Sequence, residues 1–290
     1  MKKYLLILLC VHFIGVMAFA QEGQEESSTD RKPVRSPWES GALLNHQTSI
    51  IAPQKALEFM IQHRFGTITN GSSDIWGIMS PGANIRLGLN YSLRNNLMVG
   101  YGLSTGVNHD VQLKYTALNQ TRDNAIPVSV TLYGNMGINA QDEEIFGGDY
   151  EFTDRLSYFS ELIIGRKFCN AFSLQASVNF SHYNRVDDGL DHDKIGIGAA
   201  GRVKFSPQSS FIFEWGLPLT IDNISEQLVT PVSRYHLSLG CEVSTGTHVF
   251  QIFVTNSLGI VPQDIYMNNA SLFDKDGIRF GFNMTRLWFF

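Results

Sequence analysis

One short segment of the chain concentrates the side chains that most readily bind a metal ion. Residues 185–193 read RVDDGLDHD, which places carboxylates at Asp187, Asp188, Asp191 and Asp193. Carboxylate oxygens at such close spacing are typical ligands of Ca²⁺. The spacing does not follow the EF-hand loop, however, and one loop seldom completes a coordination shell. We therefore expect a solvated acidic loop, keep these residues only as metal candidates, and expect no cofactor because the C-x-x-C-H motif of haem attachment is missing.

Nucleophilic catalysis would need a serine beside a base, and a few residues offer the parts. His63, His109 and His182 fall near the same predicted ends of their segments, and Ser104 lies on another segment. A hydrolytic site also needs a third residue that orients the base, and the sequence gives no signature for one. We expect interfacial or hydrogen-bonded histidines and a protein that is not an enzyme.

Charged side chains of both signs recur on the polar faces of otherwise apolar segments. Arg64, Arg86 and Arg279 share one wall if their segments are neighbours in a closed sheet. Glu161 and Glu214 then lie on the opposite wall. Opposed basic and acidic walls orient polar solutes in a confined pore, whereas a salt-bridged, filled interior is the alternative. The candidate lumen and constriction residues are Arg64, Arg86, Arg279, Lys114, Glu161 and Glu214.

The segments that carry these residues alternate apolar and polar positions with a period of two, which predicts β-strands. In ALEFMIQHRFG, for example, Leu57, Phe59 and Ile61 share one face while Glu58 and Gln62 share the other. No segment after the first 20 residues reaches the ~18 consecutive apolar residues of a membrane-spanning helix. The twelve predicted strands cover 56–66, 82–93, 97–105, 110–119, 127–139, 155–168, 172–183, 194–205, 210–218, 234–243, 249–257 and 276–290.

The connections between these strands fall into two length classes. Short ones such as 94–96 and 169–171 alternate with long ones such as 140–154 and 258–275, and 106–109 is a short exception. Bacterial outer-membrane barrels have short periplasmic turns and long external loops, with apolar residues facing lipid and polar residues facing the lumen. The sequence therefore predicts an all-β, antiparallel up-and-down transmembrane β-barrel of about 12 strands, with both termini in the periplasm.

The start of the chain predicts export. The first 20 residues combine a basic MKK start, an apolar core and an AFA end, which is typical of a signal peptide. Residues 21–55 are polar and rich in Glu, Ser, Arg and Pro, so we expect a periplasmic lead segment that is mobile over 21–40. The barrel should then cover 56–290. The net charge of −5 and the lack of a basic stripe exclude nucleic acid as a partner.

The last predicted strand, DGIRFGFNMTRLWFF, carries large apolar side chains on one face and ends on an aromatic residue. Phe282, Trp288 and Phe290 lie on the apolar face, and a terminal phenylalanine is the usual form of the signal read by the barrel-assembly machinery. Arg286 shares that face, but it lies close enough to the end of the strand to reach the lipid headgroups. We expect the outer-membrane lipids and the assembly machinery as partners.

Several stretches are familiar as a set. EFMIQHRFG (58–66), RLGLNYSLRNNLMVGYGLS (86–104) and IRFGFNM (278–284) resemble a Bacteroidota-type family of outer-membrane β-barrels of unknown function. The resemblance runs from about Ala56 to the end. It implies the barrel fold and the outer membrane of a Gram-negative cell, but no activity. The chain departs from the family at Ser104, near which an arginine would be expected.

The sequence leaves three interpretations of function open. The first is a narrow channel for small polar or ionic solutes. The second is a lumen-occluded structural barrel that binds a protein partner through its long external loops, as part of an outer-membrane complex. The third, an outer-membrane phospholipase-like enzyme, would need a catalytic triad that the sequence does not supply.

The terminal strand gives a first prediction. Deletion of Phe290 should block assembly because it removes the expected recognition residue, and Phe282→Asp should do so because it places a carboxylate against lipid. Phe282→Leu, which keeps the face apolar, should assemble normally. The measurement is the amount of heat-modifiable, folded protein in the membrane fraction. Wild-type amounts of both damaging variants would show that the strand or its facing is assigned wrongly.

Overall fold

The computed structural model describes residues 31–105, 108–222, 224 and 233–290 of the chain. The predicted signal peptide and residues 21–30 of the predicted lead segment lie outside the described residues. Within the described part, the dominant element is a closed antiparallel barrel of twelve strands, in the order of the chain. The predicted fold class is confirmed.

The barrel is built from strands β3 to β14, and two very short strands precede it. The strands are β1 (Ala42–Leu43), β2 (His46–Gln47), β3 (Ala56–Thr67), β4 (Asn84–Arg94), β5 (Leu97–Ser104), β6 (Asn108–Leu118), β7 (Ser129–Asn139), β8 (Leu156–Lys167), β9 (Phe172–Tyr183), β10 (Asp193–Lys204), β11 (Ser209–Pro218), β12 (His236–Thr245), β13 (His248–Thr255) and β14 (Arg279–Phe289). The helices are the α-helix α1 (Pro262–Asn268) and the 3-10 helices Ile68–Asp74, Glu143–Phe146 and Phe152–Arg155.

The barrel closes where the last strand meets the first barrel strand. β14 pairs antiparallel with β3, with Met284 opposite Ile61 and Trp288 opposite Leu57. Closure pairs the backbone groups of both edges, so the ladder leaves no open strand edge to bind another chain. The last strand, which the alternating pattern predicted, therefore forms the seam that closes the barrel.

The two faces of the barrel wall differ sharply in polarity. On β4, Leu87 and Leu89 are 44% and 47% exposed on the outer face, whereas Arg86 and Asn90 are only 4% and 3% exposed on the inner face. A soluble barrel would show the reverse. Apolar residues outside and polar residues inside match a wall that lies between lipid and a polar lumen.

The two ends of the barrel differ in the connections that they carry. The turns at 95–96, 168–171, 205–208 and 246–247 share one end with the start of β3, which we call the short-turn end; the longer connection 119–128 lies there too. The opposite end is called the long-loop end. It carries the connections 68–83, 140–155, 184–192, 219–235 and 256–278, together with the short connection 105–107.

The segment before the barrel differs from the expected mobile lead. Residues 38–50 lie inside the lumen, and Trp38, Leu43 and Leu44 are at most 2% exposed. These apolar side chains give a short stretch enough buried surface to stay folded, although the residues before it are polar. We call residues 38–50 the lumen plug.

The outer face gives a second prediction, with its control on the same strand. Leu113 lies in the middle of β6 and Leu118 at its short-turn end, and both face outward with more than 40% of the side chain exposed. Leu113→Arg should lower the free energy of unfolding in lipid vesicles by about 2–4 kcal/mol, and Leu118→Arg by about 0–1 kcal/mol. Denaturant titration measures both. Equal losses would mean that the outer face does not lie in lipid.

Candidate functional site

The candidate site is the lumen itself, where the inward side chains of the barrel hold the lumen plug. The plug turns back on itself as a hairpin: Ala42 lies opposite Gln47 and Leu43 opposite His46. Leu44, at the turn, has a φ of 59° and is fully buried. A left-handed conformation is unfavourable for a leucine, so packing of this side chain must compensate for it.

An apolar cluster anchors the plug to the wall. Trp38, Leu43 and Leu44 pack with wall residues, and Trp38 also donates from its indole nitrogen to Ser49 Oγ at 3.0 Å. The wall residues in this cluster are Ala200, Ile212 and Phe253. Because the cluster joins residues of the plug to three different strands, it fixes the depth at which the plug sits.

Glu214 on β11 makes the densest polar contact with the plug. Its carboxylate accepts hydrogen bonds from the backbone nitrogens of Asn45 and His46, at 2.7 and 3.1 Å. It also accepts from the Asn45 side-chain amide and from Ser238 Oγ, the latter at 2.8 Å. One wall carboxylate thus satisfies two backbone N–H groups at the tip of the plug.

Arg64 reaches the same plug residue from the opposite wall. Its guanidinium donates to Asn45 Oδ1 at 2.9 and 2.6 Å, and to Asn283 Oδ1 at 2.9 Å. It also stacks over the ring of Phe253, 4.7 Å from the centroid. Arg64 and Glu214 therefore lie on opposed walls and meet through one asparagine of the plug, whose amide matches a donor on one side and an acceptor on the other.

Further wall side chains hydrogen-bond other backbone groups of the plug. Gln251 on β13 accepts from the Leu44 nitrogen at 3.0 Å and donates to the Ala42 carbonyl at 3.1 Å. Lys114 on β6 donates to the Gly41 carbonyl at 2.7 Å, and Glu58 accepts from the Gly41 nitrogen at 3.0 Å. Other contacts of this kind come from Thr131, Gln175 and Asn283.

Arg86 is neutralised locally and not across the lumen. It makes two 2.8 Å hydrogen bonds to Asp110 on β6 and one of 3.0 Å to Gln62. Asp110 is fully buried and was not among the predicted lumen residues. The sequence contained one sign of this contact, which is Gly102 on the intervening strand β5. A Cβ at this position would lie 2.1 Å from Asp110 Oδ2, so only glycine leaves room for the arginine to reach Asp110.

The remaining predicted lumen residues have separate surroundings. Arg279 is buried near the long-loop end, where it donates to Ser271 Oγ at 3.4 Å. Glu161 is buried beside the plug, with its Oε1 atom 3.6 Å from Nδ1 of the plug residue His46. All six predicted side chains thus point inward, but the described lumen is filled by the plug around them.

Helix α1 closes the lumen from the long-loop end. Gln263 donates to Asn135 Oδ1 at 3.0 Å and to Ser157 Oγ at 3.1 Å, and Tyr266 is buried. Burial raises the pKa of Asp264, although Asn268 donates a 2.8 Å hydrogen bond to it. Two cavities of about 320 and 230 Å³ border the helix.

The acidic loop does not form a metal centre in the described part of the chain. Asp191 contacts Lys194 at 3.1 Å, and Asp193 contacts His182 at 2.7 Å. No group of three His, Cys, Asp or Glu side chains among the described residues is placed to share an ion. Nearby, the Arg185 guanidinium holds the pKa of Asp149 below its usual value.

The histidines considered for catalysis have other partners. His109 bonds to the Tyr101 hydroxyl, His182 also bonds to Asn184 at 2.8 Å, and the ring of His63 packs 4.1 Å from that of Phe65. The Ser104 hydroxyl donates to the Asn108 carbonyl at 3.4 Å.

The terminal aromatic residues lie where the pattern places them. Phe282 is on the outward parity of β14, and Phe290 is 79% exposed. Arg286 stacks on Trp288, with 4.9 Å between the guanidinium carbon and the ring centroid. Recognition of these residues by the assembly machinery stays a prediction.

A third prediction tests the fit of the plug. A Cβ on Gly198 of β10 would lie 2.4 Å from His46 Cε1, whereas one on Gly82 would meet nothing within 4 Å. Gly198→Val should therefore destabilise the seated plug by about 1–3 kcal/mol through overpacking. Hydrogen–deuterium exchange should become faster across residues 41–50 while the barrel strands stay protected. Gly82→Val is the control, and unchanged exchange in the Gly198 variant would contradict this placement.

Comparison with solved structures supports the fold. The NanC porin aligns with a TM-score of 0.50 at 8% identity, covering 81% of this chain and 99% of that one. The KdgM porin reaches 0.48 at 7% identity (80% and 98% covered), and the COG4313 outer membrane channel from Pseudomonas putida F1 reaches 0.48 at 13% (83% and 98%). At 8% identity, the likeness to the NanC porin shows a shared outer-membrane barrel fold alone.

Sequence comparison assigns the family. No curated protein matches the chain. In the described part, no helix has the length and apolar character needed to cross a membrane. The family model described as "Membrane bound beta barrel domain (DUF5777)" matches residues 38–288, and so includes the plug as well as the barrel. The chain belongs to this family of membrane-bound β-barrel domains.

Proposed function

We propose that the protein is a self-plugged channel of the Gram-negative outer membrane, with both termini in the periplasm. It passes small polar or ionic solutes only when the lumen plug leaves its seat. The source is expected to be a member of the Bacteroidota, from the sequence resemblance. The observation that carries the proposal is that three of the predicted lumen residues, Arg64, Lys114 and Glu214, hydrogen-bond a segment of the same chain.

The chemistry of the plug contacts supports a removable closure. Arg64, Glu214 and Gln251 hold the plug through hydrogen bonds. Such a bond contributes about 0.5–1.5 kcal/mol net between neutral groups and about 1.5–3 kcal/mol when one partner is charged, because water replaces either partner when they separate. The sum over many bonds favours the closed state. After release, however, these polar wall side chains would be hydrated, and only the apolar patch of Ala200, Ile212 and Phe253 would be left without its cover.

The size of the barrel also supports a passage. Eight-stranded barrels are filled by their own side chains, whereas barrels of 16 to 18 strands leave an aqueous channel. Twelve strands lie between these cases. A lumen of this size needs an additional segment to fill it, and removal of that segment would leave room for water and small solutes.

The second candidate is a permanently closed barrel that binds a protein partner, and one loop favours it. Ile75, Trp76 and Met79 in the 68–83 connection are 49%, 50% and 70% exposed. Ile75 and Trp76 also have φ values of 54° and 53°. Such a conformation is strained for these residue types, and exposed apolar residues held in this way are typical of a contact surface.

An enzymatic role is not proposed. His109 is bonded to Tyr101 and His182 to Asp193 and Asn184. In the described residues, no serine or cysteine nucleophile is paired with either histidine.

The fourth prediction concerns conductance and uses the full chain in planar bilayers. Wild-type protein should be silent or open only in rare, brief steps. Glu214→Ala removes the acceptor of two plug N–H groups, so it should open more often and for longer. Glu144→Ala, on an exposed loop, is the matched control.

Two results would contradict the proposal. Steady conductance by wild-type protein would show that the plug does not close the lumen. Silence of a folded Glu214→Ala variant whose plug amides exchange rapidly would favour the closed, partner-binding barrel.

A further inference from the structure

Three side chains from distant parts of the chain converge where the lumen plug meets helix α1. His46 comes from the plug, His236 from the start of β12, and Tyr266 from α1. The two Nε2 atoms are 2.9 Å apart, and the Tyr266 hydroxyl is 3.4 Å from His46 Nε2. All three residues are at most 5% exposed. This group joins the two elements that close the lumen from opposite ends.

Two glycines of the barrel wall, Gly198 and Gly216, lie beside this group and leave space where a larger side chain would clash. A Cβ on Gly198 would lie 2.9 Å from the Tyr266 hydroxyl, and one on Gly216 would lie 2.7 Å from it and 2.6 Å from His236 Nε2. Neither glycine has a left-handed φ, so the backbone conformation does not require them. They leave space for the two imidazoles and the phenol to approach one another.

The surroundings of His46 indicate which of its two ring nitrogens carries the proton. Its Nδ1 faces the Glu161 carboxylate at 3.6 Å, which favours a proton on Nδ1. The Nε2 lone pair then points toward His236 Nε2 and the phenol oxygen. Glu161 Oε1 and His236 Nδ1 are buried and have no hydrogen-bond partner among the described residues.

We propose that His46 Nε2, His236 Nε2 and the Tyr266 oxygen bind one divalent transition-metal ion such as Zn²⁺ or Cu²⁺. On binding, the Tyr266 phenol releases its proton to solvent and binds as phenolate, and the proton of the neutral His236 ring moves to Nδ1, so that both Nε2 lone pairs face the ion. Imidazole nitrogen is a preferred ligand of these ions. With metal–ligand bonds of about 2.0–2.1 Å, two ligands at a right angle are roughly 2.9 Å apart and two tetrahedral ligands roughly 3.4 Å apart. The observed separations of 2.9 and 3.4 Å match this range. The phenol is needed as the third ligand because His, Cys, Asp and Glu alone make no such group in the described residues.

The neighbouring charges suit a cation. Glu161 stands behind His46 in the position of the carboxylate that orients many metal-bound histidines. Glu214 accepts from the His46 backbone nitrogen at 3.1 Å. Two carboxylates therefore lie close to one ligand. The bound ion would join the plug, the wall and α1, and the site does not depend on whether the barrel conducts solutes.

The test uses the full chain refolded into detergent with Co²⁺, Zn²⁺ or Cu²⁺ present, since the site is enclosed once the plug is seated. We expect one ion per protein after removal of excess metal, visible Co²⁺ absorption bands of a low-coordinate site, and a higher unfolding temperature. His46→Gln and His236→Gln should lose the bound ion. Glu161→Gln should weaken binding by about 10–100-fold, as for other residues that orient a ligand. The matched control is His182→Gln with His192→Gln, which removes the histidine pair near the rim.

Tyr266→Phe keeps the shape of the ring and guards against variants that fail to fold. The Cu²⁺ complex of the wild type should show a phenolate-to-copper charge-transfer band, and this variant should lack it. The proposal is overturned if wild-type protein retains no ion, if the ion is lost only from the His182 and His192 control, or if the charge-transfer band is missing in the wild type or persists in Tyr266→Phe. Either of the first two outcomes would leave a hydrogen-bonded cluster without metal, and the outcomes on the charge-transfer band would exclude Tyr266 as a ligand and with it the proposed site.

Discussion

A peptide segment inside a barrel must find hydrogen-bond partners for its backbone, and this requirement shapes the interior of the protein. The lumen plug is too short to pair fully with itself, since its hairpin joins only two residues on each side. Side chains of the wall supply the rest: Glu214 and Gln251 accept from the plug, and Lys114 donates to it. Unpaired backbone groups would each cost about 1–3 kcal/mol when buried, so the position of the plug and the composition of the wall depend on each other.

The relation between Arg64 and Glu214 shows the same dependence at one residue. Two opposite charges on opposed walls are too far apart for a direct ion pair, and Asn45 connects them because its amide both donates and accepts. A carboxamide is the side chain that meets both demands at this length. Without the plug, the charged lumen would suit the passage of solutes. In this structure its charged side chains bind the plug instead.

The sequence predicted the wall well and its contents poorly. Period-two alternation is a local signal, so the strands and the inward parity of Arg64 and Glu214 could be predicted from each segment alone. Contacts of Asn45 with residue 214 join positions 169 residues apart and leave no local pattern. Asp110 was not predicted as a lumen residue because it lies close to the start of its strand. At a strand end it is hard to tell from the sequence whether a side chain points inward or outward. Glycines on the inward parity, such as Gly198 and Gly216, were the one available sign that something fills the lumen.

The short connection between the plug and the barrel has a kinetic consequence. Only residues 51–55 separate the plug from β3, and five extended residues span at most about 17 Å. A released plug would therefore remain tethered at the mouth of the barrel, at an effective concentration on the order of millimolar. Reclosure would be a first-order event, independent of protein concentration, and the dwell time of the open state would be a property of each single molecule.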